Sequence, residues 1–92
     1  MEIAGSIYNI PYTIMHHQLL EIINTVLHNN QLEIIEGLEE KMRLREDLNL
    51  DSINLAELSV RLEDAYGIDV FADGMVDTVG GLIRYIEEQK NI

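Results

Sequence analysis

The sequence predicts an all-α fold: a small four-helix bundle of three longer helices and one short helix, with a long loop after the first. Apolar residues recur at helical spacing in three segments, and no pair of alternating segments indicates strands. Of the 92 residues, 47% are hydrophobic. One small domain with this composition can bury a core, so we expect a folded domain and not a disordered acidic tail.

The charge balance limits the classes of partner. Seventeen acidic residues against six basic ones give a formal net charge of −11, which repels nucleic acid and favours basic protein surfaces. Cysteine is absent, which excludes disulfides, thiolate metal ligands and thiol nucleophiles in this sequence. Without a signal peptide or a membrane-spanning apolar run, we expect a cytoplasmic monomer that does not insert into membranes.

The N-terminal third predicts an arm and a helix. Residues 1–12 mix apolar residues with glycine, asparagine and proline, and they predict an extended arm ahead of a helical domain at residues 13–92. Thr13 is predicted to cap the first helix, which extends to about His28. One of the two following asparagines is expected to take the left-handed conformation that ends a helix.

The middle of the chain predicts a loop and then the longest uninterrupted helical pattern. Residues 31–50 show no sustained period and predict a long loop, held to the domain by four apolar anchors: Ile34, Leu38, Leu44 and Leu48. From Ser52 to Tyr66 no Gly or Pro occurs. This segment predicts a helix that Ser52 caps and Gly67 ends.

The C-terminal segment predicts a short helical turn and a final helix. Residues 68–77 are expected to form a tight connection with one helical turn. Thr78 is predicted to cap the last helix, whose apolar face consists of Val79, Leu82, Ile83 and Ile86. Gly80 and Gly81 weaken the first turn of this helix, because glycine has a low helix propensity.

Residues 45–58, REDLNLDSINLAEL, have some features of a calcium-binding loop. Acids or amides occupy the first, third and fifth positions of an EF-hand loop: Asp47, Asn49 and Asp51. The sixth position is Ser52 where the loop needs glycine, and the twelfth is Leu58. Glu57 comes one place early, which turns its carboxylate by about 100° on a helix. We therefore reject the calcium hypothesis.

The long helix has apolar residues on two sides. The predicted core stripe consists of Leu55, Leu58, Leu62, Ala65 and Tyr66. A second apolar strip, called the docking strip below, consists of Ile53, Ala56 and Val60 and is flanked by Glu57, Glu63 and Asp64. An apolar strip edged with acids is typical of a surface that binds a basic partner. The alternative is that neighbouring loops cover it.

Ser52 also has two interpretations at this point. A serine at the start of a helix usually acts as a cap. The same position suits an attached phosphate, because backbone N–H groups and the helix dipole favour an anion there.

The segment DLNLDSINLAELSVRLEDAYGIDV, residues 47–70, resembles the acyl carrier proteins, whose signature is Asp-Leu-Gly-x-Asp-Ser-Leu before a long amphipathic helix. Four residues match the signature: Asp47, Leu48, Asp51 and Ser52. Ile53 replaces the leucine, and TVGGLIRYIEE resembles the last helix of the family. The likeness covers about residues 14–89. Three residues depart from the pattern: Asn49 for glycine, Asn54 for an acid, and Arg61 as a positive charge beside the docking strip.

The resemblance implies a bundle of acyl-carrier type with 4′-phosphopantetheine on Ser52, beside Asp51, installed from coenzyme A by a phosphopantetheinyl transferase. The thiol of the arm would carry acyl groups as thioesters to acyl-transferring, ketosynthase or ligase-type enzymes with basic docking patches. These enzymes belong to fatty-acid, polyketide or related biosynthesis. The implied docking residues are Ile53, Glu57, Val60, Glu63 and Asp64. The implied acyl pocket uses Ala56, Leu62, Val70 and Leu82.

Two alternatives remain open. Aminoacyl or peptidyl carriers share the fold but favour a Gly-Gly-His/Asp-Ser context, which NLDS does not match. An acidic interaction module without a prosthetic group would present the same surface. An enzyme is not expected, because His16, His17 and His28 have no nucleophile or carboxylate pattern around them.

Overall fold

The structure is a computed structural model that describes the backbone of residues 3–72 and 76–90 and the side chains of residues 14–72 and 76–89. Within these ranges the chain forms three helices: α1 at Ile3–Asn29, α2 at Ser52–Tyr66 and α3 at Val79–Lys90. The described residues form no strand, although an isolated antiparallel bridge joins Arg43 and Thr78. The all-α fold class is therefore confirmed.

The extended arm predicted for residues 1–12 is wrong over the described part, because residues 3–12 are helical and continue into α1. Isoleucines occur in this region at spacings of four, three and four residues, which is a helical period: Ile3, Ile7, Ile10 and Ile14. Pro11 lies inside the helix, where the missing N–H removes one backbone hydrogen bond, although its fixed φ is in the helical range. Thr13 consequently lies inside α1 and does not cap it.

The end of α1 also differs in detail from the prediction. The helix ends at Asn29, but the left-handed residue after it is Gln31, with φ of 59°. Asn30 instead uses its side chain. Its Nδ2 donates to the carbonyl oxygen of Val26 at 2.7 Å and to Oε1 of Glu57 at 3.0 Å. The asparagine thus satisfies an unpaired carbonyl at the helix end and links α1 to α2.

All three helices contribute one face to a single core, together with the connection between α1 and α2. The largest fully buried side chains are Leu19, Ile23, Leu27, Leu44, Leu50, Leu58, Leu62, Leu82 and Ile86. Full burial of a side chain of this size contributes roughly 1.5–3 kcal/mol. In the part of the chain that the structure describes, no helix is both long enough and apolar enough to cross a membrane.

The connection between α1 and α2, residues 30–51, contains turns and no helix. Of its predicted anchors, Leu44 and Leu48 are buried and Leu38 packs partly buried against the core. Ile34 is 56% exposed and is not an anchor. Ile35 takes that role, because it packs partly buried against the core. Its N–H also donates to Asn24 Oδ1 at 2.9 Å, and its carbonyl accepts from Asn24 Nδ2 at 2.8 Å.

The start of α3 is held by two kinds of cap. Thr78 Oγ1 accepts from the N–H of Gly81 at 3.0 Å, which confirms the predicted cap. The carbonyls of Met42 and Glu40 accept from the N–H groups of Val79 at 2.9 Å and Gly80 at 3.0 Å. The connection therefore pairs through its backbone with the first turn of α3.

Gly80 is needed for this close approach. A Cβ added there would lie 3.0 Å from both the carbonyl oxygen and the Cβ of Glu40. Contacts this short require a shift of the backbone of the connection, so the glycine has a packing role beyond its low helix propensity.

Gly80→Ala should destabilise the protein by about 1–3 kcal/mol, because the overpacking against Glu40 outweighs the gain in helix propensity. Gly81→Ala is the matched control in the same turn, since its nearest neighbour, Thr78 Oγ1, would lie 3.3 Å away. Urea unfolding of both variants measures the difference. A Gly80→Ala protein at least as stable as the parent would contradict the packing role.

Candidate functional site

The start of α2 is fixed by a reciprocal capping box. Asp51 is the N-cap: its Oδ1 accepts from the N–H of Asn54 at 2.8 Å, while Asn54 Oδ1 accepts from the N–H of Asp51 at 3.1 Å. The predicted cap at Ser52 is therefore wrong, because Ser52 is the first residue of the helix. Asn54 is only 7% exposed, and the hydrogen bond from the Asp51 N–H satisfies its buried amide oxygen.

The turn before the helix leaves Ser52 on the surface. Asn49 has φ of 65°, so an asparagine takes the left-handed conformation at the position where the signature has glycine. Leu48 and Leu50 are buried on either side of it. Ser52 is exposed, and Nη2 of Arg45 donates to its Oγ over a long 3.4 Å.

The two aspartates of the rejected calcium loop accept hydrogen bonds from backbone N–H groups. Oδ2 of Asp47 accepts from the N–H of Arg43 at 2.7 Å, and Asp51 is engaged in the capping box. Within the described ranges, no group of three or more His, Cys, Asp or Glu residues could hold a metal ion.

A cleft of about 380 Å³ opens directly beside Ser52. It is lined by Arg45, Ser52, Leu55, Ala56, Ser59, Phe71 and Val76. Four of these residues come from α2 at positions i, i+3, i+4 and i+7, which lie on one face of a helix. The cleft thus extends from the hydroxyl along α2, and Phe71 and Val76 line its other side.

The structure separates the four residues that the resemblance assigns to an acyl pocket. Ala56 lines the cleft. Leu62, Val70 and Leu82 are at most 1% exposed and belong to the core. The sequence reasoning missed Leu55, which it placed in the core stripe, and it missed Phe71 and Val76. Helical spacing from Ser52 places Leu55 and Ser59 on the same face of α2 as the serine, so the sequence could have identified them as lining residues. Phe71 and Val76 reach the cleft only through tertiary packing.

The docking strip is exposed. Ile53 is 77% and Val60 is 64% exposed, and Ala56 is exposed as well. The alternative that loops cover the strip is therefore wrong. Glu63 and Asp64 are also exposed. In the predicted core stripe, Leu58, Leu62 and Tyr66 are buried and Leu55 is half-buried, but Ala65 is exposed at the edge of the helix.

Glu57 differs from the other acids along the strip because its carboxylate is already bonded. It accepts from Nδ2 of Asn30 at 3.0 Å, from Nε of Arg61 at 3.2 Å and from Nδ2 of Asn29 at 3.4 Å. The hydrogen bond from Asn30 is the main cause that holds the pKa of Glu57 below its ordinary value, against the opposing effect of burial. Glu57 therefore joins α2 to the end of α1 and also pairs the positive charge of Arg61.

Comparison with known proteins gives one family. A family model described as "Phosphopantetheine attachment site" matches residues 17–86. The acyl carrier protein of Chlamydia muridarum is 36% identical over 58 residues, which cover 61% of this chain and 75% of that protein. The acyl carrier protein of Streptococcus pneumoniae serotype 4 is 41% identical over 44 residues, covering 48% of this chain and 60% of the relative.

The acyl carrier protein of Chlamydia trachomatis serovar D is 42% identical over 48 residues, covering 50% of this chain and 62% of the relative. The chain thus spans between 60% and 75% of the length of these three relatives. No solved structure matches it significantly.

Asp51→Ala should lower the free energy of unfolding by about 1 kcal/mol, because it removes the cap of α2. Ser52→Ala is the adjacent control and should change it by less than about 0.5 kcal/mol, since this exposed side chain caps nothing. Chemical denaturation of both variants tests the assignment, which a larger loss for Ser52→Ala would overturn.

Proposed function

The chain belongs to the family of proteins with a phosphopantetheine attachment site, and we propose that it works as an acyl carrier protein through an arm on Ser52. The observation that supports this most is the exposed serine at the start of α2, inside the matched residues 17–86. Its hydroxyl is accessible, and a cleft adjoins it. The residues present therefore fit a long attached group.

The prosthetic group supplies a thiol, which holds acyl groups as thioesters. The chain has no cysteine, so any thiol chemistry depends on the arm. Attachment uses coenzyme A: Ser52 Oγ forms a bond to phosphorus, loses its proton, and displaces the nucleotide portion of coenzyme A. A phosphopantetheinyl transferase catalyses this step. The chain presents the hydroxyl and is a carrier, not an enzyme.

We further propose that the docking strip binds the partner enzymes. Ile53 and Val60 offer apolar contact, and exposed Glu63 and Asp64 attract basic surfaces at long range. Glu57 lies on the same surface, but its carboxylate is engaged with Arg61 and two asparagines, so we expect a smaller contribution from it. Partners of this kind are the transferase and the acyl-transferring, ketosynthase or ligase-type enzymes of fatty-acid or polyketide biosynthesis.

The cleft suggests where an acyl chain begins its path. The arm would contact four residues that line the cleft: Leu55, Ala56, Phe71 and Val76. An acyl chain would reach the buried Leu62, Val70 and Leu82 only if the helices separate.

We also propose a fourth, short helix in the connection before α3. The turn in which Ala72 N–H donates to Asp69 O at 3.2 Å supports it.

Intact-protein mass spectrometry after incubation with coenzyme A and a broad-specificity phosphopantetheinyl transferase tests the attachment. The parent protein should gain one phosphopantetheinyl group, and Ser52→Ala should gain none. Ser59→Ala is the matched control, because Ser59 lies on the same helix and lines the same cleft; it should be modified like the parent.

Modification of Ser52→Ala, or of no variant with several transferases, would contradict the assignment. The second result would favour the alternative of an acidic interaction module without a prosthetic group, for which the exposed docking strip is the supporting observation.

A further inference from the structure

Arg45 is the basic residue whose side chain contacts Ser52. It lies seven positions earlier, in the connection between α1 and α2, and its Nη2 is 3.4 Å from Ser52 Oγ. The other arginine of this segment, Arg43, forms an ion pair with Glu46, in which Nη1 and Oε1 are 3.5 Å apart. In the part of the chain that the structure describes, Arg45 forms no ion pair with a carboxylate.

The backbone that carries Arg45 is fixed relative to the start of α2. The preceding residue, Leu44, is 1% exposed. Its N–H donates to Asp77 O at 2.9 Å, and its carbonyl accepts from Leu50 N–H at 3.1 Å. These bonds fix the backbone on both sides of the turn, and from there the Arg45 side chain reaches Ser52 and lines the cleft.

One acid lies directly beside Ser52: Asp51 precedes the serine, and its carboxylate is confined to the capping box. A phosphodiester on Ser52 would add a second negative charge next to this carboxylate. The N–H groups at the helix start offset part of the repulsion, and a nearby positive charge would offset more of it. Arg45 is placed to supply one.

We propose that Arg45 is a positioning residue that binds the phosphate of the attached arm and directs the arm along the cleft. This inference rests on the proposed attachment at Ser52. A guanidinium forms short, charge-assisted hydrogen bonds to phosphate oxygens, which are stronger than its long contact with a neutral hydroxyl. The contact with Ser52 therefore marks where the phosphate is held, and Leu55, Phe71 and Val76 lie further along the same cleft.

The test compares Arg45→Gln with Arg43→Gln and the parent, each before and after modification. Arg43→Gln is the matched control. It removes an equal charge from the same segment, but the side chain of Arg43 pairs with Glu46 and not with Ser52. Mass spectrometry first establishes that each protein carries the group. The readouts are the ³¹P chemical shift of the phosphodiester, referenced to the same protein unfolded in urea, and the change in melting temperature on modification.

In the parent and in Arg43→Gln, the folded protein should displace the ³¹P signal from its unfolded position. Arg45→Gln should lose at least half of that displacement, and modification should lower its melting temperature relative to the other two. Equal displacements and equal temperature changes in all three modified proteins would overturn the role of Arg45 while leaving the attachment intact. If no protein gains the group, the attachment and the role of Arg45 both fail.

Discussion

The placement of Ser52 depends on the backbone pairing between the α1–α2 connection and the residues that begin α3. Leu44 N–H donates to Asp77 O, and the carbonyls of Met42 and Glu40 accept from the first turn of α3. This pairing holds an irregular segment against the core with its leucines buried. The left-handed turn at Asn49 then leads into the capping box of Asp51, which starts α2 with the serine outside. A helix start is well suited to carry an attached phosphate, because its N–H groups are directed at the anion.

The distribution of charge separates two tasks on the same helix. Around Ser52, acids are bonded to backbone N–H groups and Arg45 is the basic residue in contact with the hydroxyl. Toward the other end, Glu63 and Asp64 are exposed beside Val60. Between them Glu57 holds Arg61 and the end of α1. The positive charge of Arg61, which departs from the pattern of acyl carrier proteins, is thereby paired within the molecule. The outward surface of α2 remains acidic as a result.

The sequence was sufficient where local signals determine the structure. Gly67 ends α2 with φ of 71°, Thr78 caps α3, and the signature around Ser52 identifies the family. It was insufficient where two local preferences compete. At the start of α2 both Asp51 and Ser52 are good caps, and the choice between them depends on Asn54 two and three residues later. In α1 the helical period of the isoleucines competes with Pro11, and the period prevails. The cleft could be predicted only in its α2 wall, because Phe71 and Val76 reach it through tertiary packing.

We expect an arm on Ser52 to occupy the cleft that begins at this serine. The most direct measurement compares ¹H–¹⁵N correlation spectra of the protein before and after transfer of phosphopantetheine to Ser52. The largest changes should occur at the amides of Arg45, Ser52, Ala56, Phe71 and Val76, which follow the cleft. Changes centred instead on α1, or on Val60 and Asp64 at the far end of the docking strip, would contradict the claim.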